Sequence, residues 1–134
     1  MSRYELDIVT GERVELPDEP TTHSLDDLKN AQTALIDSAY DLAITANIDY
    51  LGFTFQADYP THDNLKSVLS CGSVPDGFAW FDINNNPVPM THQQVQEFSK
   101  ALVYRGFSAF VKKQTLKNQI LAAIDAATVQ AIVW

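Results

Sequence analysis

Apolar and acidic residues alternate at the start of the chain, in Tyr4-Glu5-Leu6-Asp7-Ile8-Val9 and again in Glu12-Arg13-Val14-Glu15-Leu16. A period of two is the signature of a strand with one apolar face. Thr10-Gly11 separates the two runs, and a glycine there supplies the positive φ of a tight hairpin turn. A two-stranded hairpin is marginal in water on its own, so this one is expected to lie either on its own domain or on a partner. Pro17 and Pro20 then punctuate a segment reaching His23 that cannot be helical. The pattern predicts an N-terminal arm and linker, residues 1–23, and a domain, residues 24–134.

The period changes to three and four at Ser24. Leu25, Leu28, Gln32, Leu35, Ala39 and Leu42 form one stripe, apolar except for Gln32, which predicts a core-facing helix to about Ala46. The same spacing admits a coiled-coil seam, although it lasts under three heptads. Ser24 is placed to cap the helix, and Asp26 and Asp27 favour its positive end. Tyr50 to Asp58 reads as a strand carrying Phe53 and Phe55 on one face. After the interruption at Tyr59-Pro60, Thr61 or Asp63 is expected to cap a shorter helix to about Cys71. Residues 72–77 are a loop by composition.

Phe78 to Ile83 is the strongest strand pattern in the chain. Asn84-Asn85-Asn86-Pro87 suits a tight turn. Val88-Pro89-Met90 returns as an edge strand, because its prolines cannot donate to a ladder. Thr91 and Gln94 then make a capping box. A long helix follows, carrying Val95, Phe98, Leu102, Phe107, Phe110, Val111, Leu116, Ile120 and Ile124. Gly106 within it suggests a bend or a close helix contact. Thr128 is expected to cap a last turn. The expected fold is α+β and mostly helical: three or four helices packed on a small antiparallel sheet, with an N-terminal β-hairpin arm. Its expected core contains Leu35, Phe53, Phe55, Trp80, Phe98, Leu102, Ile120 and Ile124.

Composition narrows the function classes. The chain has 134 residues, 46% of them hydrophobic, enough for one core without a metal or disulfide staple. Net charge is −8 and unevenly spread: residues 1–64 hold 13 Asp or Glu against 3 Lys or Arg, and residues 65–134 hold 4 against 6. An acidic half argues against a nucleic-acid partner, since phosphates require a basic face. It fits either a solvated surface or docking to a basic patch, including head-to-tail pairing between copies. The start, Met1 to Glu5, has no apolar stretch of the kind a signal peptide needs. Ile120–Trp134 is too short and too polar to span a bilayer, so no membrane partner is expected.

Little in the chain points to catalysis. His23, His62 and His92 have no second His or Cys at ligand spacing, and Cys71 is alone, so no metal site and no disulfide are expected. Cys71 lacks a local base, and reads as a partly buried spectator thiol. No phosphate-cradling glycine loop, dinucleotide fingerprint or serine elbow is present. Asp82 to Asn86 offers oxygens, but Pro87 follows and no Glu stands in calcium-loop register. An Asn-rich turn is the simpler reading. No cofactor and no catalytic residue are predicted.

Four segments together resemble a domain of unknown function that recurs in tailed phages and prophages, usually in tail-fibre and tail-fibre-assembly genes. They are Gly52-Phe53-Thr54-Phe55-Gln56-Ala57-Asp58, then Phe78-Ala79-Trp80-Phe81-Asp82-Ile83-Asn84-Asn85, then Val88-Pro89-Met90-Thr91, and last Leu116 to Thr128 with Ala131-Ile132 and Trp134. The resemblance spans residues 25–134 and leaves the arm outside it. It implies a non-enzymatic virion protein of the tail, baseplate or tail fibre, made in the host cytoplasm and bound to other tail or fibre proteins, with room for a homo-oligomer. The alternative is a tail-fibre assembly chaperone not retained in the virion. It implies no catalytic residues. From the residues themselves, the arm is the expected contact, through Tyr4, Leu6, Ile8, Val14 and Leu16, by adding a strand to a partner's sheet.

Overall fold

A computed structural model describes residues 3–6, 13–16 and 24–134 of the chain. The fold is α+β. Strands β1 (Arg3–Leu6) and β2 (Arg13–Leu16) form an antiparallel ribbon. There follow helix α1 (Leu25–Thr45), strands β3 (Ile48–Tyr50) and β4 (Phe53–Phe55), helix α2 (Tyr59–Ser70), strands β5 (Ala79–Phe81) and β6 (Pro87–Pro89), and helices α3 (His92–Ala122) and α4 (Ala126–Ala131). The expected single sheet is instead a set of two-stranded antiparallel ribbons, β1–β2, β3–β4 and β5–β6. The last two are stitched together where the Ile83 N–H donates to the Thr54 carbonyl at 2.9 Å.

Local chemistry explains most element boundaries. Ser24 Oγ accepts the Asp27 N–H at 3.1 Å and starts α1. Thr91 and Gln94 satisfy each other's backbone donors in a full capping box, which opens α3. Asp82 Oδ1 accepts the N–H groups of Asn84 and Asn86, at 2.9 and 2.8 Å. Asn85 between them takes a φ of 62°, a left-handed conformation Asn tolerates. The Asp82–Asn86 oxygens thus belong to a hairpin turn.

Other boundaries correct the sequence reading. Tyr50 to Asp58 is not one strand, because Leu51 and Gly52 both take positive φ, 55° and 79°, and fold the segment into the β3–β4 hairpin. Tyr59-Pro60 does not interrupt α2 but begins it. Asp58 is the N-cap, its Oδ1 accepting the Thr61 N–H at 3.1 Å, and Pro60 sits in the first turn where its missing N–H costs nothing. The last turn is capped by Asp125, which accepts the Thr128 N–H at 2.7 Å, rather than by Thr128. α3 ends at Ala122 and Ala123 is already extended.

Two apolar clusters form on α3. The first contains Phe55, Ala57, Leu65, Val88, Met90, Val95, Phe98 and Leu102. Phe98 is its hub, with ring centroids 5.2 Å from Phe55, 5.5 Å from Tyr50 and 6.4 Å from Trp80. The second contains Ile36, Ile120, Ala123 and Val129, flanked by Leu25, Leu28, Leu116, Ile132 and Trp134. Phe55, Phe98, Leu102 and Ile120 are core residues as expected, and Trp80 is half-buried. Leu35, Phe53 and Ile124 are not core. Leu35 is 61% exposed and Ile124 87% exposed. On α1 the buried positions are Gln32 and Ile36, so the inward face follows the predicted stripe through Leu25, Leu28 and Gln32, then passes to Ile36 and leaves Leu35 and Leu42 outside. Ile124 falls in the extended link between α3 and α4. Phe53 opens β4 at its exposed end.

α1 and α3 run antiparallel. The start of α1 meets the end of α3, where Lys29 Nζ donates to the Leu121 carbonyl at 2.8 Å. The end of α1 meets Arg105, midway along α3. Gln32, the polar break in the α1 stripe, is buried and donates to the Ile132 carbonyl at 2.7 Å, so its amide tethers the C-terminal segment.

Candidate functional site

Arg105 organises the joint between the two clusters. The last turn of α1 contains no basic residue, yet its carbonyls carry the negative end of the helix dipole. Arg105 supplies the cation from α3: Nη2 donates to the Ile44 carbonyl at 2.9 Å and Nη1 to the Ala46 carbonyl at 2.8 Å. Burial pulls the guanidinium below its ordinary pKa, though it stays charged. His62 joins the same point, its Nε2 lying 3.0 Å from the Ala57 carbonyl and 3.3 Å from the Ile44 carbonyl. Both neighbours are acceptors, which assigns the proton to Nε2. Tyr59 donates to Asp41 at 3.1 Å, and that bond raises the pKa of its hydroxyl. These polar groups fasten α1, α2 and α3 together.

An open groove of about 450 Å³ lies between residues 73–78 and the segment from Pro89 to Gln94. His92 lines it, and its Nε2 is buried without a hydrogen-bond partner. The groove's one threonine, Thr91, spends its hydroxyl on capping α3. Cys71 is exposed rather than partly buried. Among the described residues no group of three or more His, Cys, Asp or Glu is placed to hold a metal ion. Among the described residues no helix is long and apolar enough to cross a membrane.

Tyr4 and Leu6 lie in β1, and Val14 and Leu16 in β2. The register sets Tyr4 opposite Glu15, Leu6 opposite Arg13, Val14 opposite Glu5 and Leu16 opposite Arg3. Ile8 and the Gly11 turn lie outside the described residues. A two-stranded ribbon leaves an unpaired edge on each strand, and an extended segment can add to such an edge.

The surface that the sequence reading missed is on α3. Val103, Tyr104, Phe107, Phe110 and Val111 are all substantially exposed, Phe107 by 67%. The periodicity carried Phe107, Phe110 and Val111 along the long helix without placing them in the expected core. They lie on the side of α3 turned away from Phe98, Leu102, Ala109 and Ile120, the residues it buries. Phe110 keeps one contact inward, an edge-to-face approach to Tyr40 at 6.4 Å between ring centroids. The nearby cations are engaged within the chain: Lys117 pairs with Asp37 at 3.1 Å, and Lys112 and Lys113 lie over the rings of Trp134 and Tyr40, each at 4.4 Å. With these cations directed to Asp37 and to rings of the same chain, the exposed apolar stripe stands out on this face. Soluble monomers seldom expose contiguous apolar patches larger than a few hundred Å² without using them for binding.

Residues 27–133 match the family described as Domain of unknown function (DUF4376). The chain belongs to the DUF4376 family. No curated protein and no solved structure matches it. The matched range takes in α1 from Asp27 onward, the strands β3–β6 and the helices α2–α4, and it leaves β1 and β2 outside. The family region is therefore the body that carries the α3 face, with the N-terminal ribbon as an addition to it.

Proposed function

We propose that this DUF4376 protein is a non-enzymatic interaction protein of a tailed phage, part of the tail, baseplate or tail fibre, acting by binding other proteins of that assembly. The observation that carries the binding part is the apolar outer face of α3, which the chain's own core does not use. The phage part rests on the resemblance of the Gly52–Asp58, Phe78–Asn85, Val88–Thr91 and Leu116–Trp134 segments to proteins of tail-fibre genes. The N-terminal ribbon is the attachment element in this reading. It meets an edge strand of a partner through main-chain hydrogen bonds, with Tyr4, Leu6, Ile8, Val14 and Leu16 as its apolar positions. No cofactor, metal or nucleic acid has a part in it.

Mass spectrometry of purified particles tests the assignment, with the infected-cell lysate as reference. Presence in the particle at a fixed ratio to a tail protein supports it. Absence from particles, together with recovery on a fibre protein from the lysate, replaces it with an assembly chaperone released before the particle is complete. Recovery in neither fraction removes the tail reading altogether. Deleting residues 1–20 is expected to abolish incorporation while leaving the helical signal of the body intact. Undiminished incorporation would take the attachment role away from the ribbon.

A further inference from the structure

The exposed residues of α3 follow a register. Tyr104, Phe107, Val111, Gln114, Asn118 and Leu121 recur at alternating intervals of three and four, and every one of them is exposed. This is an a/d seam, with Tyr104, Val111 and Asn118 at a and Phe107, Gln114 and Leu121 at d. The opposite side of the same helix, Val95, Phe98, Leu102, Ala109 and Ile120, is spent on the chain's own core. α3 thus presents two seams, one filled and one open.

We infer that the open seam of α3 pairs with the same seam of a second copy of this chain, as a parallel two-stranded coiled coil. Three features select a second copy as occupant. First, the seam contains a polar pair, Gln114 and Asn118, inside an otherwise apolar run. A foreign apolar helix would leave these amides unsatisfied, at a cost of roughly 1–3 kcal/mol for each unmet group. A second copy in the same direction brings each amide against its own twin, where donor meets acceptor. Second, β-branched Val111 and Asn118 at a, with Leu121 at d, is the combination that favours two parallel strands. Third, the positions flanking the seam do not repel. They are Val103, Ser108, Phe110, Thr115, Lys117 and Ala122, and the one cation among them, Lys117, is held by Asp37 of its own chain.

The area is adequate. From Tyr104 to Leu121 the seam is about 26 Å long at ~1.5 Å per residue. Its exposed rings and branched side chains supply on the order of 500 Å² of apolar surface per copy, counting ~200 Å² for a full aromatic side chain. With the polar flanks this approaches the ~800 Å² per partner of a standard interface. This pairing takes up the α3 face that carries the binding part of the proposed function and leaves contact with tail proteins to the N-terminal ribbon; it stands whether or not the tail reading does.

Sedimentation of the full-length chain at micromolar concentrations tests it. The expected species has twice the 14.9 kDa chain mass and persists in high salt. Phe107→Glu changes an exposed residue, so the body keeps its helical signal, while the dissociation constant rises at least ~100-fold because the change occurs on both sides of the seam. In a Cys71→Ser background, Asn118→Cys is expected to give a disulfide-linked dimer under an added mild oxidant, since a-position residues face their twins in a parallel pair. Asn118→Leu is expected to yield species larger than a dimer, as the residue fixing strand number is lost. A monomer at all micromolar concentrations overturns the inference. So does a dimer indifferent to Phe107→Glu. A dimer that salt dissociates also overturns it, in favour of acidic-to-basic head-to-tail pairing. An Asn118→Cys variant that resists cross-linking excludes the parallel arrangement.

Discussion

Around Phe98, short strands and α2 crowd aromatic rings onto the first half of α3. Around Ile120, the second half of α3 meets α1 and the six-residue α4 through mainly aliphatic side chains, with Trp134 at the flank. The first cluster draws its residues from β4, α2, β6 and α3 and encloses them on all sides. The second buries only Ile36, Ile120, Ala123 and Val129, and the helices that build it keep Leu35, Leu42, Phe107 and Leu121 exposed. The first region closes over eight buried residues and leaves Leu51, Phe53, Phe81 and Ile83 exposed at its hairpins. The other is a pair of helices with exposed apolar surface along their length.

Substitution at the two hubs should separate the regions most strongly. Phe98→Ala removes a ring in contact with three other aromatics, and is expected to cost about 3–5 kcal/mol and loosen the whole chain. Ile120→Ala is expected to cost about 2–4 kcal/mol. Its effect should be local: amides of α4 lose protection from hydrogen exchange while those near Phe98 keep theirs. Equal loss of protection in both regions would mean that the two clusters form one cooperative unit. Arg105→Met strikes the joint between them. Losing its charged hydrogen bonds to the α1 carbonyls is expected to cost about 1–2 kcal/mol, read as a lower denaturation midpoint with an unchanged slope.

Gly106→Ala is expected to stabilise by about 1 kcal/mol. The helix passes Gly106 without a break, and a Cβ built there meets nothing within 4 Å. Destabilisation would reveal a close approach at that point after all. The smallest effect concerns two caps. Hydrogen bonding from Thr61 holds the Asp58 carboxyl below its ordinary pKa, and Thr128 does the same for Asp125. A depressed folded-state pKa gives stability that is fully present above the ordinary carboxylate pKa. It disappears as pH falls through the lowered one. Asp58→Asn and Asp125→Asn retain an acceptor for the cap but not the titration. Each should flatten the acid limb of the stability profile slightly, the first through α2 and the second through α4.

The sequence was legible where the information was local. Ser24, Thr91 with Gln94, and the Asp82–Asn86 turn each act within four residues, and all three are found as read. Faces were harder. On α1, Leu35 and Ile36 both continue the spacing set by Leu25, Leu28 and Gln32, and only packing against Ile120 and Val129 selects Ile36. On α3 both sides carry apolar residues at helical spacing, so Phe107 and Phe110 resemble core until Tyr40, Ile36 and Phe98 have taken their places opposite. Leu51 gave no warning of a turn, because a bulky residue with positive φ is uncommon. The break at Ala123–Asp125 has neither Gly nor Pro to mark it. The same ambiguity hid the candidate site: Phe107 and Val111 were visible as part of one broad apolar arc, with nothing to divide it into a filled side and an open one.

α3 spans 31 residues, roughly 46 Å at ~1.5 Å per residue, and each of its halves is gripped by a different cluster. A rod clamped at both ends fixes the spacing and the relative twist of whatever is fastened to them. A partner held near the β5–β6 hairpin and another held near α4 would be kept at a set separation by this one helix, as by a strut between two flanges, and a proline placed at its middle would fold the strut.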